Sequence, residues 1–299
     1  MTDLSLSAAP ATAAIADHRQ SRRVWPKVWS ILRHVLLLSL VVVTLYPVLW
    51  MVVSSLRPEG YIFNNPSLIL DTFEVSNYTH GWTALGAPFS LYLTNSAIIV
   101  LGAVVGNLIT CAMAAYAFAR LKFRFQRPAF ATMLLTIMLP FHVVVVPQYI
   151  LFAQLDLINT FVPLILPKFL ATDAFFIFLM MQFLRGLPKE LDEAARIDGA
   201  GHFRIFGQIL LPLMTPALAT TAIFTFLWVW NDFFTQLIYL TDPNLYTVPV
   251  ALRSFIDAQS KSSYGAMFAM SVVSVLPMLL IFTFGQKYLI RGIATTGGK

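Results

Sequence analysis

Long apolar runs alternate with shorter polar segments along the 299 residues of the chain. A helix needs about 20 apolar residues to cross the hydrocarbon core of a bilayer, and six runs approach or exceed that length. The six runs are residues 35–56, 92–119, 129–151, 161–184, 209–233 and 265–289. This pattern predicts an all-α integral membrane protein with six transmembrane helices. We expect a disordered tail over residues 1–30, and a single transmembrane domain over 31–299.

Two of the apolar runs contain residues that disturb a helix. Pro140 and Pro147 interrupt the third run, where a broken helix could open the backbone towards a cavity, although a simple kink is the preferred interpretation. Pro167, Lys168 and Asp173 leave the outer end of the fourth run undefined. A regular helix does not align residues five apart, so we expect Lys168 and Asp173 to pair with another subunit or to lie at the membrane interface.

The basic residues predict the orientation of the chain. An even number of spans places both termini on one side, and Lys and Arg concentrate on the cytoplasmic side of membrane proteins. Sixteen of the 20 Lys and Arg residues lie before the first run, in the second and fourth connections, or at the carboxyl end. Both termini and those two connections are therefore predicted to be cytoplasmic.

Composition agrees with a membrane protein and excludes other classes. Hydrophobic residues make up 58% of the chain and charged residues only 11%, against about 25% charged residues in soluble domains. The net charge of +6 lies in short clusters beside apolar runs rather than on one continuous surface, which argues against nucleic-acid binding. The one cysteine, Cys111, cannot form a disulfide within the chain and is interpreted as a packing residue.

The two long outer connections, residues 57–91 and 234–264, contain aromatic residues and several prolines. Connections of this length often form short helices of their own and take part in binding. Plain packing at the membrane interface is an equally acceptable interpretation.

The polar segment of residues 185–208 stands between the fourth and fifth runs. Pro188 can open a helix, and acidic residues in its first turns suit the helix dipole. Gly199 permits a sharp change of direction, and a second helix is expected from about Gly201 or His202. The pattern predicts a short helix on the cytoplasmic face that is rigidly linked to two transmembrane helices.

This segment resembles the EAA loop of binding-protein-dependent ABC import permeases. The similarity rests on Glu193-Ala194-Ala195, Asp198-Gly199-Ala200, Phe206, Ile209 and Leu211-Pro212 at the spacings of that loop. The resemblance implies that the segment is a coupling helix seated in a groove of an ATPase subunit. Glu193 and Asp198 would then offer charges to the ATPase, Ala194 and Ala195 would permit close docking, and Gly199 would set the bend. Ala200 is included among the coupling residues.

Further segments are similar to the carbohydrate-importing branch of that family. They are Asn95-Ser96, Ala115 to Leu121, Trp230-Asn231-Asp232-Phe233, Arg291-Gly292-Ile293 and the terminal Gly297-Gly298-Lys299. The resemblance implies the type I ABC importer permease fold, as in the smaller, maltose-type subunit, in a bacterial cytoplasmic membrane. It also implies four kinds of partner: a second homologous permease, two ABC ATPase subunits, an extracytoplasmic substrate-binding protein and membrane lipid.

No catalytic or metal-binding pattern occurs in the sequence. A G-x-x-x-x-G-K-[ST] phosphate loop is missing, and the five histidines do not have metal-ligand spacing. The chain is therefore predicted to be a non-enzymatic transport subunit without a cofactor of its own, with ATP and Mg²⁺ on the partner ATPase. The alternative is a secondary carrier or channel that works alone, driven by an ion gradient.

Polar residues at membrane depth are candidates for a substrate path because they are costly to bury. Asn231 and Asp232 follow Trp230, and sugars are held by aromatic faces together with amide or carboxylate groups. Asn95 and Tyr149 are further candidates. The alternatives are an interfacial anchor for the Trp230 segment, and hydrogen bonds between helices for Asn95 and also for Asn107.

Overall fold

The fold was analysed in a computed structural model that describes residues 24–64, 66–70, 72–256 and 263–294, with side chains from 29 to 288. Within these ranges the secondary structure is helical, without strands. Four helices are long and apolar enough to cross a membrane: Trp29–Ser54, Phe89–Arg120, Val162–Gly186 and Tyr264–Tyr288. Two bent pairs, Gln126–Met138 with Phe141–Gln154 and His202–Leu213 with Thr215–Trp230, raise the number to six if each pair is one span.

These helices confirm the all-α prediction, and they match the six predicted runs in order. We number them as spans one to six. The exact number of spans and the side on which the termini lie remain predictions. The first helix begins at Val24, so the predicted disordered tail is too long by residues 24–30. The rest of that tail, and Gly297, Gly298 and Lys299 at the other end, lie outside the described residues.

Span two is the centre of the bundle. It packs against spans four and five, and span five packs against span six. Small residues allow the close approach: Ala103, Ala112 and Ala115 are buried, and a Cβ atom on Gly106 would lie 2.9 Å from the Phe169 ring of span four. Span one contacts span six and is otherwise largely exposed.

Span three is broken rather than kinked. Its two helices meet at an angle of 103°. Leu139 is extended, with a ψ of 123°, because the residue before a proline is disfavoured in the helical conformation, and Pro140 then opens the second helix. The expectation of a simple kink is therefore wrong at Pro140. Pro147 lies inside the second helix, which continues through it.

Span four contains an irregular segment that brings its two charged residues together. The α-helix Val162–Ile165 is followed by the 3₁₀ helix Leu166–Leu170, a left-handed Ala171 with a φ of 53°, and the α-helix Ala174–Gly186. The turn at Ala171 folds the chain back, so Lys168 Nζ lies 2.9 Å from Asp173 Oδ2. The expectation that Lys168 and Asp173 would not pair with each other is wrong, because it assumed a regular helix.

The Lys168–Asp173 ion pair belongs to a polar network that joins spans two, four and five. Asn107 Nδ2 donates to Asp173 Oδ2 at 2.6 Å and to Thr225 Oγ1 at 3.1 Å. Asn107 therefore forms hydrogen bonds between helices, which was one interpretation of this residue; the other was contact with the substrate. Cys111 is fully buried beside this network, as expected for a packing residue.

The two long connections contain short helices, which was one of the features considered for them. These are Glu59–Tyr61, Ser76–Thr83, Phe234–Tyr239, Pro243–Leu245 and Val248–Ser254. The first connection is fastened to span six, because the Glu59 carboxylate accepts hydrogen bonds from the backbone N–H groups of Tyr264 and Gly265 at 2.6 and 2.9 Å. The negative charge of Glu59 at the amino terminus of the span-six helix also interacts favourably with the helix dipole.

Candidate functional site

The polar segment between spans four and five forms the predicted helix, which we call the coupling helix, over Glu190–Ile197. Gly199 follows with a φ of +79°, a left-handed conformation that glycine adopts without strain. The Ala200 N–H donates to the Ala195 carbonyl at 2.9 Å and closes the turn. A second helix begins at His202 and passes through the π-helix Ile205–Leu210 into span five. The predicted helix, bend and second helix are confirmed.

The coupling helix has two distinct faces. Asp192 and Ala195 are buried against the bundle. Glu190, Glu193, Ala194 and Ile197 are exposed and share the opposite face, because residues at i, i+3, i+4 and i+7 line one side of a helix. The predicted roles of the two alanines therefore divide: Ala194 is available to a partner, whereas Ala195 lets the helix approach its own bundle.

Two large apolar side chains project from this polar loop. Ile197 and Phe203 stand on either side of the Gly199 bend, and each is 87% exposed. Exposed apolar groups surrounded by polar residues are typical of protein interaction sites. Sequence reasoning missed both residues, although the position of Ile197 seven residues after Glu190 was a usable signal.

The remaining predicted coupling residues border the same surface. Glu193, Asp198 and Gly199 are exposed, and Ala200 is half-buried. A side chain at Gly199 would meet no atom of this chain within 4 Å. The surface presents carboxylates, a small residue and two apolar projections, which is the composition of a protein docking site rather than of a catalytic centre.

The end of span two supports the coupling helix from its buried side. Arg120 Nε lies 3.2 Å from Asp192 Oδ2, and Arg120 Nη2 donates to the Leu187 carbonyl at 2.9 Å. One turn earlier, the Tyr116 hydroxyl lies 3.1 Å from His202 Nδ1. Span two thus contacts both helices of the loop. The sequence places Arg120 in a family motif and among the cytoplasmic basic residues, and Asp192 in the acidic first turn of the helix, but it gives no sign that the two side chains pair.

The substrate-path candidates do not all face open space. Trp230 is buried and donates from Nε1 to the Ser274 carbonyl at 3.2 Å. Asn95 is buried, and its Nδ2 donates to the carbonyls of Asn244 and Tyr246 at 2.9 Å each. The two Asn95 contacts join span two to the segment after span five. They favour the interpretation of Asn95 as a hydrogen-bonding residue within the protein.

The other three candidates have accessible side chains. Asn231 is exposed, Asp232 is half-buried, and Tyr149 is exposed beside the Tyr239 ring at a centroid distance of 5.9 Å. Asp232 Oδ1 accepts the Thr235 N–H at 3.1 Å. In the part of the chain that the structure describes, no group of three His, Cys, Asp or Glu residues could hold a metal ion.

Comparison with known proteins identifies the family to which this arrangement belongs. Residues 106–295, which include the coupling helix and spans three to six, match the family described as binding-protein-dependent transport system inner membrane component. The chain belongs to this family. It is therefore a multi-pass permease subunit of an ABC importer.

Curated relatives of this permease match it over most of its length. It is 34% identical to the diacetylchitobiose uptake system permease protein NgcG of Streptomyces coelicolor, over 87% of this chain and 85% of the relative. It is also 34% identical to the arabinooligosaccharides transport system permease protein AraQ of Halalkalibacterium halodurans, over 86% and 92%.

A solved structure has the same fold. It is the crystal structure of a bacterial ABC transporter involved in the import of the acidic polysaccharide alginate, and one of its chains aligns with a TM-score of 0.79. The alignment covers 89% of this permease and 98% of that chain at 23% identity. The predicted permease fold is confirmed.

Proposed function

We propose that this permease imports a carbohydrate across a bacterial cytoplasmic membrane, driven by ATPase subunits that dock on the coupling helix. The observation that carries the proposal is the outward face of that helix, where Glu193, Ala194 and Ile197 stand clear of the bundle. The carbohydrate class is supported by the names of the relatives, which take up diacetylchitobiose and arabinooligosaccharides. Closure of the ATPases would push the coupling helix and move spans four and five.

The complex has four further components in this proposal. Two ATPase subunits bind ATP and Mg²⁺, and this permease carries neither. A second, homologous permease completes the path across the membrane, and an extracytoplasmic protein delivers the substrate. The largely exposed span one supports contact with lipid or with the second permease, because its apolar side chains would otherwise face water.

The substrate path is proposed to pass Asn231, Asp232 and Tyr149, the three candidates with accessible side chains. The Lys168–Asp173 ion pair of span four is a further charged group within the spans. Its two side chains are 25% and 24% exposed. Charged side chains within membrane spans face a cavity or another protein surface rather than lipid. An aqueous path with hydrogen-bonding groups suits the hydroxyl groups of a carbohydrate.

The self-sufficient ion-driven carrier is not favoured. Such a carrier needs no docking surface for a motor, whereas an apolar and acidic surface at Glu193 and Ile197 has no evident purpose without a partner. In addition, the Asp173 carboxylate is already occupied by Lys168 and Asn107.

The test is gentle purification of the tagged permease from its native membrane, with identification of the proteins that accompany it. We expect an ABC ATPase and a second permease with the wild-type chain. Glu193→Lys should reduce the recovered ATPase by about tenfold or more, because interface carboxylates in charge pairs contribute about 2 kcal/mol or more. The second permease should be recovered as before.

Lys122→Glu is the matched control, because it also reverses one charge in an exposed loop residue on the predicted cytoplasmic side. It should leave recovery of the ATPase unchanged. A permease that purifies alone, in both the wild-type and the Glu193→Lys forms, would contradict the proposal and favour the ion-driven carrier.

A further inference from the structure

The coupling helix is joined to span two by a buried ion pair, in addition to its covalent links to spans four and five. Arg120, the last residue of the span-two helix, faces Asp192 in the first turn of the coupling helix at 3.2 Å. The two side chains are 2% and 8% exposed. Both charges therefore lie on the buried side of the coupling helix, where a docking partner cannot reach them.

Arg120 also fixes the chain that leads into the coupling helix. Its Nη2 donates to the carbonyl of Leu187 at 2.9 Å, just after the helix of span four ends. One guanidinium group therefore contacts the end of span four and the start of the coupling helix, while its own backbone ends span two. The planar, fork-like guanidinium suits two such contacts at once, which the single ammonium group of a lysine would not reproduce.

A second contact from the same face of span two holds the other side of the bend. Tyr116 lies four residues before Arg120, so the two side chains share one face of the helix. Its hydroxyl contacts His202, and its ring lies 5.1 Å from the ring of Phe206. The two helices on either side of Gly199 are thereby anchored to one short stretch of span two.

A gain in folding stability does not by itself explain why this ion pair is buried. Removing two charges from water costs several kcal/mol per ion, and a buried pair often adds no net stability over apolar residues of similar size. What the pair does provide is a fixed geometry, because Asp192 cannot move away without leaving the Arg120 charge unpaired in a buried site. The coupling helix can then neither rotate nor slide independently of span two.

We propose that Arg120 is a positioning residue for coupling: its contacts with Asp192 and Leu187 make the coupling helix and the adjacent end of span two move as one unit. This role rests on the proposed function, since it presupposes an ATPase that pushes the coupling helix. Movement would then reach spans four and five directly, and the bundle centre through span two. The 75° bend between His202–Leu213 and Thr215–Trp230 would let the two parts of span five change their relative angle during this movement.

The experiment measures one distance in the assembled complex. Spin labels on Lys122→Cys, just beyond span two, and Leu191→Cys, on the flank of the coupling helix, report whether the two elements move together. The distance is measured without nucleotide and with a non-hydrolysable ATP analogue. We expect the same narrow distribution in both states when Arg120 and Asp192 are present.

The decisive comparison is the paired apolar variant Arg120→Met with Asp192→Leu, which leaves no unpaired charge and is expected to fold. In this variant the analogue should shift or broaden the distance by about 1–2 Å, a typical size for helix shifts in switching proteins. Arg120→Lys retains the positive charge but not the planar guanidinium. Its distance change should lie between those of the intact protein and the paired apolar variant.

Two results would overturn the role of Arg120: a distance that changes with nucleotide in the intact protein, or one that stays narrow in the paired apolar variant. Failure of the proposed function is distinguishable, because it would appear as a wild-type permease from which no ATPase is recovered. That result would remove the role of Arg120 as well.

Discussion

Ile197→Asp is expected to detach the ATPase from the permease and to abolish uptake, while the variant remains in the membrane at normal abundance. The side chain of Ile197 is 87% exposed and stands at the carboxyl end of the outward face of the coupling helix. Apolar anchors that become buried in an interface commonly contribute about 2 kcal/mol or more, and a buried unpaired carboxylate adds a further penalty. We expect at least a thirtyfold loss of affinity, which is about 2 kcal/mol.

The fold should tolerate this change because the side chain makes little contact within the permease. Ile197→Leu should retain uptake. Phe125→Asp introduces the same carboxylate at another exposed apolar residue on the predicted cytoplasmic side, and should also retain it. Uptake and membrane abundance are measured in the same cells. Normal uptake by Ile197→Asp would show that the exposed face is not the docking surface.

Asp173→Leu is expected to destabilise the permease strongly. The change leaves the Lys168 ammonium without its partner and removes one of the two acceptors of the Asn107 amide. Removing one member of a buried ion pair costs about 3–5 kcal/mol, and the partial exposure of this pair places the cost near the lower end. The measurement is the thermal stability of the purified permease in detergent, together with its abundance in the membrane.

A second replacement separates the charge effect from simple loss of packing. Lys168→Met combined with Asp173→Leu removes both charges and should recover most of the lost stability, because no unpaired ion remains. If the double variant is as unstable as Asp173→Leu alone, the ion pair is not what holds the irregular segment of span four.

The coupling helix could be predicted from sequence because its signals are local. Pro188, the acidic first turn and Gly199 lie within one short segment, and each acts on its own part of the backbone. The spacing of Glu190, Glu193 and Ile197 also predicts that these residues share one face of the helix. The sequence does not predict which face is buried, because that depends on the position of span two.

The contacts missed from sequence join distant parts of the chain. Arg120 pairs with Asp192 because the end of span two contacts the residues that follow span four. Lys168 pairs with Asp173 because a left-handed Ala171 turns the chain, and alanine gives no sign of that conformation. Likewise, Pro140 indicated a disturbance of span three, but not the angle of 103° between its two helices.

The energy source for uptake distinguishes an ATP-driven importer from a carrier driven by an ion gradient. Cells that produce the complete transporter would be given a panel of labelled di- and oligosaccharides, with ATP depletion and an ionophore applied separately. For an ATP-driven importer, we expect uptake of at least one sugar to stop when ATP is depleted and to continue when the ion gradient is collapsed at constant ATP. Uptake that survives ATP depletion but is abolished by the ionophore would contradict this expectation.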